Sequence, residues 1–470
     1  MPSSPTRRGL LAATAALTAS STIQARHAYA QGATIRLSAE RRVLDVNGRA
    51  ASVFGIRQPN GTAGVVLDPG QQFAVTLANA CGEPTIIHWH GQTPPVRQDG
   101  VADTGFETVI AAGAAQTYGF APRPGTHWMH SHHGLQEQVL MAAPLIVRTA
   151  EDAAADMQEV TVLLHDFSFR DPAEILAGLT GGKDMKPAGA MPGMSMPGDA
   201  PDLNDIEYDA YLSNDRTLAD PAVVRVARGG RIRLRLINGA TSTAFWIDLG
   251  TLAGTVVAVD GNPVRPLNVK RIPMAQAQRV DVILAIPSDG GAFPVLAQRE
   301  GDRKRTGIIL ATPGATVVKI PGEATEVAAP VDNSMEQRLQ AFAPLAARGA
   351  DIVHKVELSG AMMPYSWLMD GRTWTHHKPL AVSKGQRVEI EISNGSAMAH
   401  PVHLHGHHFQ VTALNGTPFS GPVRDTVLVP AKGSVKVAFD ADNPGRWLFH
   451  CHNLYHMAVG MMTEVRYHEA

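Results

Sequence analysis

Cysteine is nearly absent. Cys81 and Cys451 are the only two in 470 residues, so no disulfide framework staples this chain and at most one bridge could form. No Cys-x-x-Cys-His occurs, which excludes c-type haem attachment, and the lack of any Cys-x-x-Cys disfavours structural zinc. An excess of one charge is missing too. Lys and Arg number 41 against 43 Asp and Glu, a formal charge of −2, which excludes a nucleic-acid binder working by bulk charge. Beyond the N-terminus no uninterrupted apolar run reaches the ~18 residues of a membrane span. What remains is ordinary globular material, 44% apolar and 18% charged, long enough for about three domains at roughly 150 residues each.

The N-terminus reads as an export signal over residues 1–30. Thr6-Arg7-Arg8-Gly9-Leu10-Leu11 opens a small apolar stretch, and Ala28-Tyr29-Ala30 offers an A-x-A cleavage site before Gln31. The paired arginines fit the twin-arginine type, which carries folded, metal-loaded proteins, with a Sec signal as the alternative. Either route predicts a periplasmic or otherwise exported protein.

Three β-rich blocks follow, at 31–150, 155–315 and 350–470, with 316–349 as a linker carrying a short helix at 335–346. Short β-prone runs recur between Gly, Pro and Asn punctuation: 73–77 and 145–147, then 160–164, 231–236 and 280–284, then 388–392 and 435–439. Strands of this length and spacing predict β-sandwiches. An internal echo supports related domains. Asp68-Pro69-Gly70-Gln71, Ala227-Arg228-Gly229-Gly230-Arg231 and Ser383-Lys384-Gly385-Gln386-Arg387 each introduce a strand that stops at an asparagine: Asn79, Asn238 and Asn394.

Histidine carries the chemistry. Of 20 histidines, ten fall into four motifs: His88-Trp89-His90-Gly91, His130-Ser131-His132, His400-Pro401-Val402-His403-Leu404-His405-Gly406, and His450-Cys451-His452 with His456. Strand residues two apart share a face, so each His-x-His pair offers two imidazoles to one place. In His450-Cys451-His452 the thiolate faces the other way, so one strand touches two metal sites. Two imidazoles, one thiolate and a weak thioether describe a blue-copper site, and His400, His456, Cys451 and Met461 supply that set.

With these four motifs the chain resembles the three-domain multicopper oxidases over essentially its whole mature length. The resemblance implies three consecutive cupredoxin-like Greek-key β-sandwich domains, about four copper ions, and dioxygen reduced to water. By motif position, type 1 copper takes His400, Cys451, His456 and Met461. Type 2 takes His88 and His403. The type 3 pair takes His90, His130, His132, His405, His450 and His452. Electrons pass through Cys451. Asp99, in Gln98-Asp99-Gly100-Val101, matches the acid that serves proton supply, a turn aspartate being the alternative; Met457 stands where some relatives carry a second acid.

Two features bear on substrate. The Gly/Pro-rich insertion 181–199 holds Met185, Met191, Met194 and Met196, soft donors suited to Cu(I) or simply part of a flexible linker. Met398, two residues before His400, resembles a methionine of bacterial cuprous oxidases, although Ser396 replaces their neighbouring Asp; strand packing is the alternative. The expected activity is Cu(I) oxidation for copper tolerance, with laccase-like oxidation of phenols and aromatic amines as the alternative. The resemblance implies a monomer without nucleic-acid partners. A complete ligand set argues against relatives that have lost copper, and the six type 3 histidines argue against copper nitrite reductase.

Overall fold

The turn–strand–asparagine echo is built into the architecture. In the computed structural model, which describes residues 34–181 and 203–468, the three echoed strands are Phe73–Ala80, Arg231–Asn238 and Arg387–Asn394. Each pairs in parallel with the strand that opens its block: Ile35–Val46, Gln158–Phe167 and Ile352–Ala361. On its other side each meets an antiparallel strand: Ala115–Phe120, Arg279–Ala285 and Ser434–Asp440. The signal segment and the four insertion methionines lie outside the described residues.

A second sheet completes each sandwich. In the first block Val65–Leu67, Ala142–Val147, Gly125–Ser131 and Ile87–His88 form it, and in the third, Leu380–Val382, Met462–Tyr467, Arg446–Cys451, His400–Leu404 and Thr426–Val429. The middle block packs a six-stranded sheet on a five-stranded one. Alternating strands such as Phe73–Ala80 bury every second side chain, as one face against a core requires. The cupredoxin-like sandwich expectation therefore holds. Among the described residues no helix is long and apolar enough to cross a membrane.

The asparagines sit at the ends of their strands, or in the first block one residue before the end, for a local reason. Each side-chain oxygen accepts the backbone N–H two residues on, from Cys81, Ala240 and Ser396, at 2.9–3.1 Å. Each side-chain amide donates to carbonyls of neighbouring loops: Ile110 for Asn79, Thr243 and Met274 for Asn238, Met398 and Pro430 for Asn394. An Asx turn therefore stops the strand and ties it to the facing sheet.

The linker departs from its expected helix. Only a 3-10 turn forms, Glu336–Arg338, and the chain then runs extended against strand Asn262–Val269. Arg265 N–H donates to the Gln340 carbonyl at 2.8 Å and Phe342 N–H to that of Pro263 at 3.0 Å. An open sheet edge offers better backbone partners than an isolated turn, and Pro344 would interrupt a helix.

The asparagine device predicts that Asn238→Ala lowers stability by about 2–4 kcal/mol, because it strands buried carbonyls at ~1–3 kcal/mol each. Calorimetry against the exposed control Asn268→Ala checks this. Equal losses in both variants would refute the role.

Candidate metal centre

Strand pairing sets the histidines side by side. His88 lies opposite His130 in the first block. In the third, His403 lies opposite His450, and Val402 opposite Cys451. The two blocks then meet ring on ring, with His88 stacked on His405 at 3.9 Å between centroids and His90 on His403 at 3.8 Å. Sequence reasoning put both members of each His-x-His pair on a strand, and the structure keeps only one there. His90, His132, His405 and His452 lie just beyond their strand ends, because a flat strand cannot aim both rings into one space between two blocks. Gly91, at φ +85°, makes the turn after His90, and a Cβ there would collide with His127 and Arg279.

One nitrogen of each ring points inward. Nε2 of His88, His130, His132, His403 and His452 and Nδ1 of His90 are buried without a hydrogen-bond partner, while Nε2 of His405 and of His450 face each other at 3.0 Å. Donor atoms of His132, His405 and His450 lie within 4.8 Å of one another, as do those of His88, His403 and His405.

The outward nitrogens are held by acceptors. The Asp99 carbonyl takes His88 Nδ1–H at 2.8 Å, and its carboxylate Oδ2 takes His405 Nδ1–H at 2.9 Å. The Asp425 carbonyl takes His403 Nδ1–H at 2.9 Å, and its Oδ1 takes His90 Nε2–H at 3.1 Å. His450 Nδ1–H donates to the Cys451 carbonyl at 2.9 Å, and Glu137 Oε2 lies 2.9 Å from His130 Nδ1. With the outer nitrogen protonated, the inner one presents a lone pair. Burial moreover lowers the pKa of His90, His130, His403, His405, His450 and His452, which keeps them neutral ligands. Eight buried imidazole nitrogens converging on one space suit a cation, so the residues fit a metal cluster.

Asp99 is a turn residue that also holds two of the cluster histidines. It closes the 3-10 turn Val96–Gln98, and Gly100 follows at φ +78°. A Cβ on Gly100 would strike the Ile87 carbonyl, so glycine lets this loop press against the strand that carries His88.

The second site lies on the other side of the Cys451 strand. Cys451 Sγ sits 3.7 Å from His400 Nδ1 and 3.6 Å from His456 Nδ1, and burial pushes its thiol up, so a thiolate there needs a metal cation. His456 rides on the helix Leu454–Ala458, which is capped by Asn453, and Trp367 stacks on its ring at 4.2 Å. Met461 is fully buried, and its backbone bonds both His456 and Cys451. Met398 is buried in the hydrophobic core, and its neighbour Ser396 bonds His400 Nε2 at 2.8 Å through Oγ.

Several functional neighbours escaped sequence reasoning: Asp205, Glu137, Arg279 and Asp425. Asp205 Oδ2 lies 2.9 Å from His456 Nε2. One weak signal was available for Asp425, because the charged pair Arg424-Asp425 stands close before the apolar run Val427-Leu428-Val429, where charges are buried only if paired. Nothing in the spacing marks Asp205.

Two outcomes follow. Folded-state histidines that resist protonation confer stability above the unfolded pKa of ~6.5 and lose it as pH falls through that value. The metal-free protein should therefore melt at progressively lower temperature below about pH 6.5, and copper should raise the melting temperature at neutral pH without removing the trend, since bound rings stay unprotonated too; a flat melting profile would contradict the buried-neutral assignment. Cys451→Ser should abolish the thiolate-to-copper visible band while the histidine cluster still retains copper, measured by metal analysis.

Comparison with known proteins agrees with this geometry. Multicopper oxidase family domains match residues 40–152, 159–315 and 351–470. Multicopper oxidase MmcO of Mycobacterium tuberculosis is 32% identical, covering 99% of this chain and 92% of its own. Copper resistance protein A of Escherichia coli is 26% identical, covering 93% of each. The crystal structure of Fet3p, a multicopper oxidase that functions in iron import, superposes with a TM-score of 0.76 at 20% identity, over 93% of this chain and 90% of that one, a likeness of fold. Family domains across all three blocks, together with a histidine and thiolate set that fits copper, show that the chain belongs to the multicopper oxidases, copper-dependent oxidoreductases that use dioxygen.

Proposed function

We propose that this oxidase takes its electrons from Cu(I), in an exported compartment, and so serves copper tolerance. The observation that carries the reading is Asp205. Its carboxylate is fully buried, with Oδ2 2.9 Å from His456 Nε2 and accepting hydrogen bonds from Tyr365 at 2.8 Å and Asn453 at 3.2 Å. Asp205 follows the methionine-bearing insertion by six residues, since that insertion ends at 199. Thioether donors so close in sequence to a residue of the type 1 site suit a soft cation, and likeness to a copper resistance protein points the same way.

Copper held by the proposed ligands supplies one-electron oxidation and the reduction of dioxygen. In balance, four Cu(I), one dioxygen and four protons give four Cu(II) and two waters. The protein's own contribution is connection, burial and proton supply. Cys451 is joined through single peptide bonds to His450 and His452, so the two sites share one strand. Asp99 touches His405 directly and is 3% exposed, which places a buried carboxylate where protons are consumed. Burial, opposed by hydrogen bonding from Gly100, pushes the nearby Glu107 up to about 7, so a proton-carrying group lies beside the Asp99 loop at neutral pH.

Asp99→Asn keeps an oxygen acceptor for His405 but removes the carboxylate. Turnover with dioxygen should fall at least tenfold while stopped-flow reduction of type 1 copper stays near normal; equal slowing of both would reject the proton role. Replacing Met185, Met191, Met194 and Met196 together with Ser should raise the apparent Michaelis constant for Cu(I) several-fold and spare phenol oxidation. Unchanged Cu(I) kinetics in that variant, and in Met398→Ala, would move the assignment to phenols.

A further inference from the structure

A chain of alternating charges runs through the interior beside the histidine cluster: Glu336, Arg424, Asp260, Arg279, Asp425. Side chains of the middle three and of Asp425 are at most 1% exposed, and that of Glu336 is 6% exposed. Arg424 Nε bonds the Glu336 carboxylate at 2.9 Å, and Arg424 Nη1 lies 3.3 Å from Asp260 Oδ2. Asp260 Oδ1 accepts the Arg279 backbone N–H at 2.9 Å. Arg279 then grips Asp425 with two prongs, Nη1 to Oδ1 at 2.8 Å and Nη2 to Oδ2. Three acids against two arginines leave one negative charge in surplus, and the chain ends on the residue that holds two ligand histidines.

Arg279 is placed to control more than a salt bridge. It belongs to the middle block, which contains none of the proposed ligands. Its Nε–H reaches the Thr126 carbonyl of the first block at 3.3 Å, and its partner Asp425 lies in the third. Asp425 in turn takes His90 from the first block through Oδ1 and His403 from the third through its carbonyl. We infer that Arg279 is a positioning residue for the copper cluster: through Asp425 it orients His90 and His403, one histidine from each side of the interface, toward the shared cavity. The fork geometry is the reason for arginine. Two parallel bonds fix both oxygens of Asp425, whereas a lysine fixes one and leaves the carboxylate free to rotate. The missing Cβ of Gly91 makes room for this grip, since a side chain there would strike Arg279 Nη2 and press on Asp425 Oδ2.

The inference rests on the ligand assignment above, and the test separates the two. Arg279→Lys retains the charge. The double variant Arg279→Gln/Asp425→Asn removes both charges, so neither partner is left buried alone. Each copper-loaded full-length variant is titrated with a copper chelator while the type 1 visible band, the type 2 paramagnetic resonance signal and the melting temperature are followed. Loss of such an orienting partner weakens metal binding about 10- to 100-fold. The cluster copper of both variants should therefore leave at about 10- to 100-fold lower chelator concentration, with an altered type 2 signal, while the type 1 band persists as in wild type. Wild-type chelator resistance and an unchanged type 2 signal in both variants would overturn the inference. So would a type 1 band and melting temperature that fall in step with the cluster, the mark of a merely structural pair. A wild-type protein that takes up no cluster copper would instead overturn the ligand assignment, and this inference with it.

Discussion

Eight imidazole rings converge on one buried space, and most of the surrounding structure answers to that constraint. A ring nitrogen can turn inward only if its partner nitrogen is satisfied outward, so Asp99, Asp425, Glu137 and the Cys451 carbonyl line the outer surface of the cluster. The rings must come from two blocks to surround the space, so His88 and His90 stack across the interface on His405 and His403. Without a cation, the arrangement is a store of unmet hydrogen-bonding capacity, and metal binding and folding are coupled for that reason.

The middle block owns no ligand and yet reaches both centres. At the blue site Ser242 Oγ bonds Asn453, the residue that caps the helix carrying His456, while Asp205 lies against the ring of His456 itself. The N–H of Ser242 and the hydroxyl of Thr243 are anchored on the buried Asp166 carboxylate. At the histidine cluster the reach is electrostatic, through Arg279. A block that only spaced its neighbours would not need buried charges aimed in two directions.

The metal chemistry was legible in the sequence because ligand motifs are local: two histidines, or two flanking a cysteine, sit within a few residues whatever the fold. Strands such as Phe73–Ala80 and Arg231–Asn238 were legible from alternation and turn residues, and even their asparagine stops proved physical. What escaped is long-range. Asp205 meets His456 across 251 positions and Arg279 meets Asp425 across 146, and no period or spacing encodes such partnerships. The linker helix failed for a related reason, because its competitor was the edge of a strand some 75 residues earlier. The pairing of His-x-His with a single strand face was half right: alternation describes a strand, and the centre needs the place where strands stop.

The repeated asparagine turn has one more implication. In the third block Asn394 holds the Met398 carbonyl at 2.7 Å, two residues ahead of His400, so a device that merely ends a strand elsewhere fixes the approach to a proposed metal ligand here. In the middle block the same device, at Asn238, stands with no ligand near it. The molecule thus contains its own reference state: what Asn238 contributes is scaffold alone, and whatever Asn394 contributes beyond that is the increment the scaffold acquired by carrying a metal.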